Sequence, residues 1–461
     1  MTNDALGCRT ALAFADAYSQ IRRASAMRVS LLDVYVAGDN RDYNGGYGTT
    51  FSVGSSLRAR LLEIARTKGE YFPLLTYGYL AAVLKQNRHD VTLDINRIRA
   101  DADLVILQAS LIRHNEELQY LKRIRAETNA RICLVGPFAS TTPDLFRSHA
   151  DTIVSGDPEG PFLNLQRLED LASGIIASSR VDDLDALPFP DWSVYDYKRF
   201  SQSPIFKRRP TAFIQGSRSC PYLCNYCPYI AVKKSYRIRK VSAVLDELKQ
   251  LSTVYGVRAV MFRDPVFSLN RKWVLELCDG IKKSGLDLEL GCETRADRLD
   301  EELVGRMYEA GFRAIKIGVE STNYDALRAH KRSPPAIEHQ ENIVSYCESK
   351  GIRIIAFFIL GLPEDTPATI RQTIQYSHHL NPSLANFTIC TPIPGTEFYE
   401  EVKDRIFNHN YNDYDNFNPV FHLDHLKPEQ LKKFQEEALV SFYFRFGFLK
   451  KYLRGAMWRR S

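Results

Sequence analysis

No stretch of the 461-residue sequence reaches the roughly 18 consecutive apolar residues that a membrane-crossing helix needs, so nothing in it is expected to span a bilayer. Met1 to Thr10 lacks the charged-then-apolar pattern of an export signal, and a cytoplasmic location is the expectation. There is no repeat at a fixed period and no low-complexity segment. Strong charge imbalance is absent too: a net charge of +6 does not by itself argue for nucleic acid. Cysteine is sparse, nine residues with no paired framework, which points to reduced thiols rather than a disulfide scaffold. A hydrophobic fraction of 44% and a charged fraction of 25% are those of an ordinary globular protein, and the length allows two or three domains.

What is present is a double alternation of short apolar runs with helical patterns. Residues 27–36 read as a buried strand, followed by the glycine-rich stretch Asn44-Gly45-Gly46-Tyr47-Gly48. A helix near 76–87, strands at 90–95 and 103–108, a helix at 113–127 and strands at 130–135 and 151–155 complete a first unit. Such alternation implies a parallel sheet with helices on both faces, a doubly wound α/β unit over 1–179. Residues 180–210, with Pro188 and Pro190 close together, read as a linker. The alternation then restarts over 211–400. Strands fit 211–216, 257–262, 286–291, 313–318, 352–359 and 386–391. The helix at 241–251 puts Val241, Val244, Leu245, Leu248 and Leu251 on one face. Six β-α repeats describe a partial barrel, and residues 401–461 read as a helical C-terminal region.

The chemistry concentrates in Cys220-Pro-Tyr-Leu-Cys224-Asn-Tyr-Cys227. Three thiolates on one short loop can hold three irons of a 4Fe–4S cubane and leave the fourth iron open. Thiolates are soft ligands that select iron–sulfur clusters or zinc. A structural zinc site wants four closed ligands, usually from paired C-x2-C units, and no fourth Cys or His lies nearby. Barrel chemistry gathers at the carboxyl ends of strands. The cysteine loop follows the first barrel strand directly, so motif and fold point to one place.

Further motifs fall at successive strand ends: Phe262-Arg263-Asp264-Pro265, Cys292-Glu293-Thr294-Arg295, Gly318-Val319-Glu320-Ser321, Gly361-Leu362-Pro363-Glu364 and Thr391-Pro392-Ile393-Pro394-Gly395-Thr396. With the cysteine triad, their order resembles the radical S-adenosylmethionine superfamily, and within it the class with an N-terminal cobalamin-binding domain. The resemblance covers about residues 27–400. It implies a 4Fe–4S cluster on Cys220, Cys224 and Cys227 that binds S-adenosylmethionine and generates a 5′-deoxyadenosyl radical. It implies that Asp264 meets the methionine amino group and that Glu293 or Glu320 orients ribose or substrate. Gly361 would lie beside the adenosine, and backbone around Pro394 would meet adenine. Ser110, Gly136 and Gly156 would line the cleft for the nucleotide tail of cobalamin. Each acid has a structural alternative as a first-turn helix residue, and Arg295 with Asp297 reads equally as a surface pair. The Asp-x-His-x-x-Gly lower-ligand motif is absent, since Val34 to Asn44 contains no histidine.

The resemblance implies methyl transfer from cobalamin to an unactivated carbon or phosphorus centre. The nearest alternative is radical rearrangement, cyclisation or oxidation without methyl transfer. Methylthiotransferases acting on transfer RNA fit less well, because only Cys8 and Cys133 precede the linker. The non-enzymatic alternative is an iron–sulfur electron-transfer or sensing protein. Expected partners are a small-molecule or lipid substrate and an external electron donor such as flavodoxin or ferredoxin, with no nucleic acid. From Ala438 onward Phe442, Tyr443, Phe444, Phe446, Phe448, Tyr452 and Trp458 mix with basic residues and no acid. Such a tail packs on the barrel or makes peripheral contact with an anionic membrane.

Overall fold

Runs of consecutive buried positions in Leu104–Gln108 and Thr211–Ile214 are strands covered on both faces. In the computed structural model they assemble into two six-stranded sheets. The structure describes residues 26–36, 40, 41, 47–50, 52–67, 73–231 and 235–453. Met1 to Thr10, Cys8, Asn44 to Gly46, Arg454 and Trp458 lie outside the described residues.

The first sheet runs Asp90–Ile95, Arg28–Asp33, Leu104–Gln108, Arg131–Val135, Thr152–Ser155, Gly174–Ala177, every pairing parallel. The strand order reverses between Arg28–Asp33 and Leu104–Gln108, the place where open α/β sheets form a crevice at their carboxyl ends. Tyr77 spans this crevice, its hydroxyl donating to the Leu32 carbonyl at 2.5 Å and accepting from the Gln108 amide at 2.9 Å. Sequence reading misses the strand Gly174–Ala177, which shows no alternation, and the helix Leu57–Thr67, where Leu57, Leu61 and Ile64 recur at helical spacing.

The second sheet takes its six strands in chain order: Thr211–Ile214, Ala259–Phe262, Glu289–Thr294, Phe312–Glu320, Arg353–Leu360 and Leu384–Ile389. The first and sixth do not pair, so the barrel is partial. Its third strand lies three residues later than the sequence suggests, which keeps Glu293 inside the strand.

The stretch read as a linker is packed. Trp192 is buried, Asp191 meets Lys85 at 2.7 Å, and the Tyr195 hydroxyl donates to the Leu74 carbonyl at 2.6 Å. Its end plugs the amino end of the barrel. Backbone amides of Lys207 and Arg208 donate to Glu289 at 2.8 and 3.0 Å, and Arg353 reaches the Ile205 carbonyl at 2.6 Å.

The sixth strand would otherwise leave an open edge of unpaired backbone groups. The helix Pro428–Phe444 covers it with side chains. The Tyr443 hydroxyl donates to the Ala385 carbonyl at 2.7 Å and accepts from the Ala385 amide at 3.2 Å, and Gln435 donates to the Phe387 carbonyl at 3.0 Å. The Asn416 carbonyl takes the Ile389 amide at 2.7 Å. The tail aromatics Phe442 and Phe448 are buried with Tyr443 against this helix, while Phe446 is exposed. Among the described residues no helix is long and apolar enough to cross a membrane.

Tyr443→Phe removes a hydroxyl that bonds both the Ala385 amide and the Ala385 carbonyl. The expected loss of stability is about 1–2 kcal/mol, that of two intramolecular hydrogen bonds, read as a lower urea midpoint. An unchanged midpoint would show that the edge does not depend on this contact.

Candidate functional site

The loop after the first barrel strand is shaped before its cysteines begin. Gly216 donates its amide to Asp264 at 2.9 Å, and the Ser217 hydroxyl donates to the other carboxylate oxygen. Only glycine fits at 216, because an added Cβ would sit 2.6 Å from the Trp273 ring. Ser219 then takes a left-handed φ of 74°, turning the chain into Cys220.

Between the thiols the loop is clamped from three directions. Asn225 donates its backbone amide to the His330 carbonyl at 3.3 Å and its side-chain amide to both oxygens of Glu401 at 2.9 and 2.8 Å. Its side-chain oxygen meets His330 Nδ1 at 3.1 Å, and its carbonyl accepts from Phe398 at 3.2 Å. Tyr222 lies under the guanidinium of Arg295, 4.2 Å from the ring centre, and its hydroxyl accepts from Arg298 at 2.6 Å. Arg295 is thus buried, and the surface pairing with Asp297 that the sequence allows is corrected: burial under Tyr222 makes it part of the loop's support.

Cys220, Cys224 and Cys227 are all free thiols and all line one cavity of about 460 Å³. Burial pushes the Cys227 thiol up to about 12, with Cys224 and Cys220 adding to the effect. A bound metal reverses that preference by stabilising thiolate. Among the described residues no three His, Cys, Asp or Glu side chains gather as ligands of a single ion do. Three thiolates are soft donors of the kind that take an iron–sulfur cluster or zinc.

Glu293 and Glu320 line the same cavity. Glu293 sits between Arg263 at 2.7 Å and Lys316 at 3.0 Å. Burial works against its charge, but these two cations hold its carboxyl below the ordinary range. Glu293 and Lys316 face each other in register on adjacent strands. Glu320 ends the fourth strand at a register shift, with a left-handed φ of 68°. A non-glycine residue held there costs on the order of 1–3 kcal/mol. Burial raises its carboxyl, opposed by Arg332 and Arg295.

Three expected positions lie elsewhere. Asp264 does not line the cavity; it is buried, and its two oxygens accept from the Gly216 amide and the Ser217 hydroxyl, so it supports the cysteine loop. Gly361 has a φ of 84°, its amide donates to Asp365 at 3.0 Å, and a Cβ there would strike Leu431 at 2.6 Å; the turn packs under the C-terminal helix instead of facing the cavity. Pro394 is buried in a loop packed on the first sheet, where a Cβ on neighbouring Gly395 would lie 2.6 Å from Thr141.

A second, narrower cavity of about 90 Å³ joins the two sheets. Gly136 and Gly156 line it from the first sheet, and Gln215, Arg218 and Ser219 from the cysteine loop; Tyr229 lines both cavities. Gly136 has a φ of 98°, and a Cβ would lie 2.8 Å from Gln108. The side-chain amide of Gln108 and the hydroxyl of Ser110 are buried with no hydrogen-bond partner. Orphaned groups of this kind are rare and expect a partner, so the crevice suits a polar ligand entering at the strand ends. Ser110 itself lines neither cavity; its amide donates to Glu117 at 2.8 Å. Where the lower-ligand motif would stand, Asp33 pairs with Arg41 at 2.7 Å, both buried.

Sequence reading overlooks Lys316, Arg332 and Asn225. Lys316, Gly318 and Glu320 occupy alternate positions of the strand Phe312–Glu320, a signal that was available. Arg332 has none, because it follows a short helix with no motif around it.

Burial raises Asp264 from 3.8 to about 6, against hydrogen bonds from Ser217 and Gly216. A carboxyl raised on folding binds its proton more tightly in the folded state. Its contribution is therefore fully present below about pH 4 and lost as the pH rises through 6. Asp264→Asn removes that dependence, so wild type should lose about 3 kcal/mol more than the variant across this window, measured by urea unfolding at each pH. Parallel profiles would contradict the assignment.

Residues 214–377 match the model of the Radical SAM superfamily. An uncharacterised methyltransferase of Pyrococcus horikoshii is 26% identical over 424 residues, covering 83% of this chain and 90% of its own. The anaerobic magnesium-protoporphyrin IX monomethyl ester cyclase of Cereibacter sphaeroides is 28% identical over 288 residues, covering 61% of this chain and 45% of its own, so the chain spans under half of that relative. Among solved structures, the radical S-adenosylmethionine methyltransferase TsrM of Kitasatospora setae, with cobalamin and a 4Fe–4S cluster bound, has the same fold. It superposes with a TM-score of 0.60 at 16% identity, covering 82% of this chain and 78% of that one.

Proposed function

We propose that this chain, whose residues 214–377 match the Radical SAM superfamily model, is a radical S-adenosylmethionine enzyme that uses cobalamin to methylate an unactivated carbon or phosphorus centre. The observation that carries this reading is the meeting of three free thiols and the carboxyl ends of the first sheet at adjoining cavities that share Tyr229. The likeness to the Pyrococcus and Kitasatospora proteins, both named methyltransferases, supports it.

When bound, the cluster supplies the electron that cleaves S-adenosylmethionine to methionine and a 5′-deoxyadenosyl radical, and the corrinoid supplies a methyl group. The chain's own residues hold and orient. Cys220, Cys224 and Cys227 ligate iron. Glu320, fixed by backbone strain and Arg332, orients ribose or substrate inside the cavity. Arg263, Glu293 and Lys316 form an ionised layer where barrels usually pack branched aliphatic side chains. Buried ionised groups add little stability, so the layer serves recognition of a substrate bearing a polar group. Gly136 and Gly156, at the strand ends that line the narrower cavity, receive the corrinoid tail. An external one-electron donor such as flavodoxin or ferredoxin supplies the reductant.

Radical chemistry without methyl transfer is the second reading, favoured by the 28% identity to a cyclase. Anaerobic reconstitution with iron and sulfide, reduction with dithionite and addition of S-adenosylmethionine should release 5′-deoxyadenosine. Cys224→Ala should release none, and cleavage retained in that variant would remove the cluster from the account. A methylated product formed only with added methylcobalamin selects the leading reading over the second.

A further inference from the structure

Among the described residues, Arg332 brings a buried cation beside the cysteine triad. Arg332 follows the short helix Tyr324–Ala329, and the left-handed φ of 58° at Lys331 turns the chain back toward the cysteine loop. The same segment is joined to that loop through the His330 carbonyl and the Asn225 amide. The Arg332 side chain is 10% exposed and lines the cavity with the three thiols. Its guanidinium donates to the Gly318 carbonyl at 2.8 Å, stands 3.3 Å from Glu320, and shares the cavity wall with Cys224, near enough for the two to interact electrostatically. It therefore lies between a ligating sulfur and the strained acid at the end of the fourth strand.

We infer that Arg332 is a positioning residue that sets the reduction potential of the cluster, dividing its charge between the Cys224 thiolate and Glu320. This rests on the reading that the triad holds a 4Fe–4S cluster. Reduction adds one negative charge to a site that three thiolates already make electron-rich. Charge and hydrogen bonds at the sulfurs are the protein's main means of moving a cluster potential. A buried guanidinium beside Cys224 stabilises the reduced form, and low solvent exposure strengthens that effect. Glu320 draws on the same guanidinium and offsets part of it. Arginine suits both tasks because its planar fork serves several acceptors at once. The location also explains why Glu320 holds an unfavourable backbone conformation: Arg332 fixes both the carboxylate and the Gly318 carbonyl two residues before it.

The test is an EPR-monitored redox titration of the reconstituted full chain, after iron and sulfide analysis. Arg332→Gln should make the cluster at least tenfold harder to reduce, a shift of about 59 mV to more negative potential for one electron. Arg332→Lys keeps the charge and should stay closer to wild type. Glu320→Gln should shift the potential the opposite way. An Arg332→Gln protein with full iron and an unchanged midpoint would overturn the inference. If that variant holds no cluster, Glu320→Gln decides, and a fully loaded Glu320→Gln protein with the wild-type midpoint would overturn it equally. Wild-type protein that assembles no 4Fe–4S cluster counts instead against the proposed function, and the iron and sulfide analysis reveals it before any potential is measured.

Discussion

Three sulfurs must be held in fixed positions on a loop while remaining open to a cavity, and much of the surrounding structure answers to that constraint. A loop cannot satisfy its own backbone polar groups when buried. Here they are satisfied by residues far away in sequence. Asp264 takes the Gly216 amide, His330 takes the Asn225 amide, and Asn225 accepts from Phe398. Each partner comes from the end of a different barrel repeat. The loop is therefore formed only when the barrel is formed, and the cavity it faces is defined by the same strands.

The two sheets meet through this loop. Arg218, between Gly216 and the first cysteine, pairs with Glu159 of the first sheet at 2.7 Å and lies over the Tyr79 ring. Gly136 and Gly156 need their positive φ values to turn the chain at the strand ends facing it. A cofactor seated at those ends would contact the wall that carries the thiols, with Tyr229 between the two spaces. The C-terminal helix completes the arrangement from the opposite side, replacing a missing seventh strand with Tyr443 and Gln435.

Much of this was legible in sequence wherever local pattern and tertiary role coincide. The strand Asp90–Ile95, the helix from Val241 and the six barrel strands follow from periodicity, and the cysteine spacing fixes one loop end. Legibility failed where a residue's role depends on what lies across space. Asp264 sits at a strand end as a ligand-binding acid would, yet its direction is set by the neighbouring Gly216 amide. Gly361 and Pro394 mark real turns, but those turns pack on the C-terminal helix and the first sheet. Arg332 carries no local pattern, and only the fold brings it to Cys224 and Glu320. The short strand Gly174–Ala177, largely exposed, shows no alternation to find.

The central claim is that three side chains, and only three, hold a cubane whose fourth iron accepts a sulfonium cosubstrate. Mössbauer spectra of protein reconstituted with 57Fe, taken with and without S-adenosylmethionine, test it most directly. The account predicts that one iron of four changes its isomer shift on addition while the other three do not. Four irons unaffected by the cosubstrate, or a site filled with zinc, would contradict it.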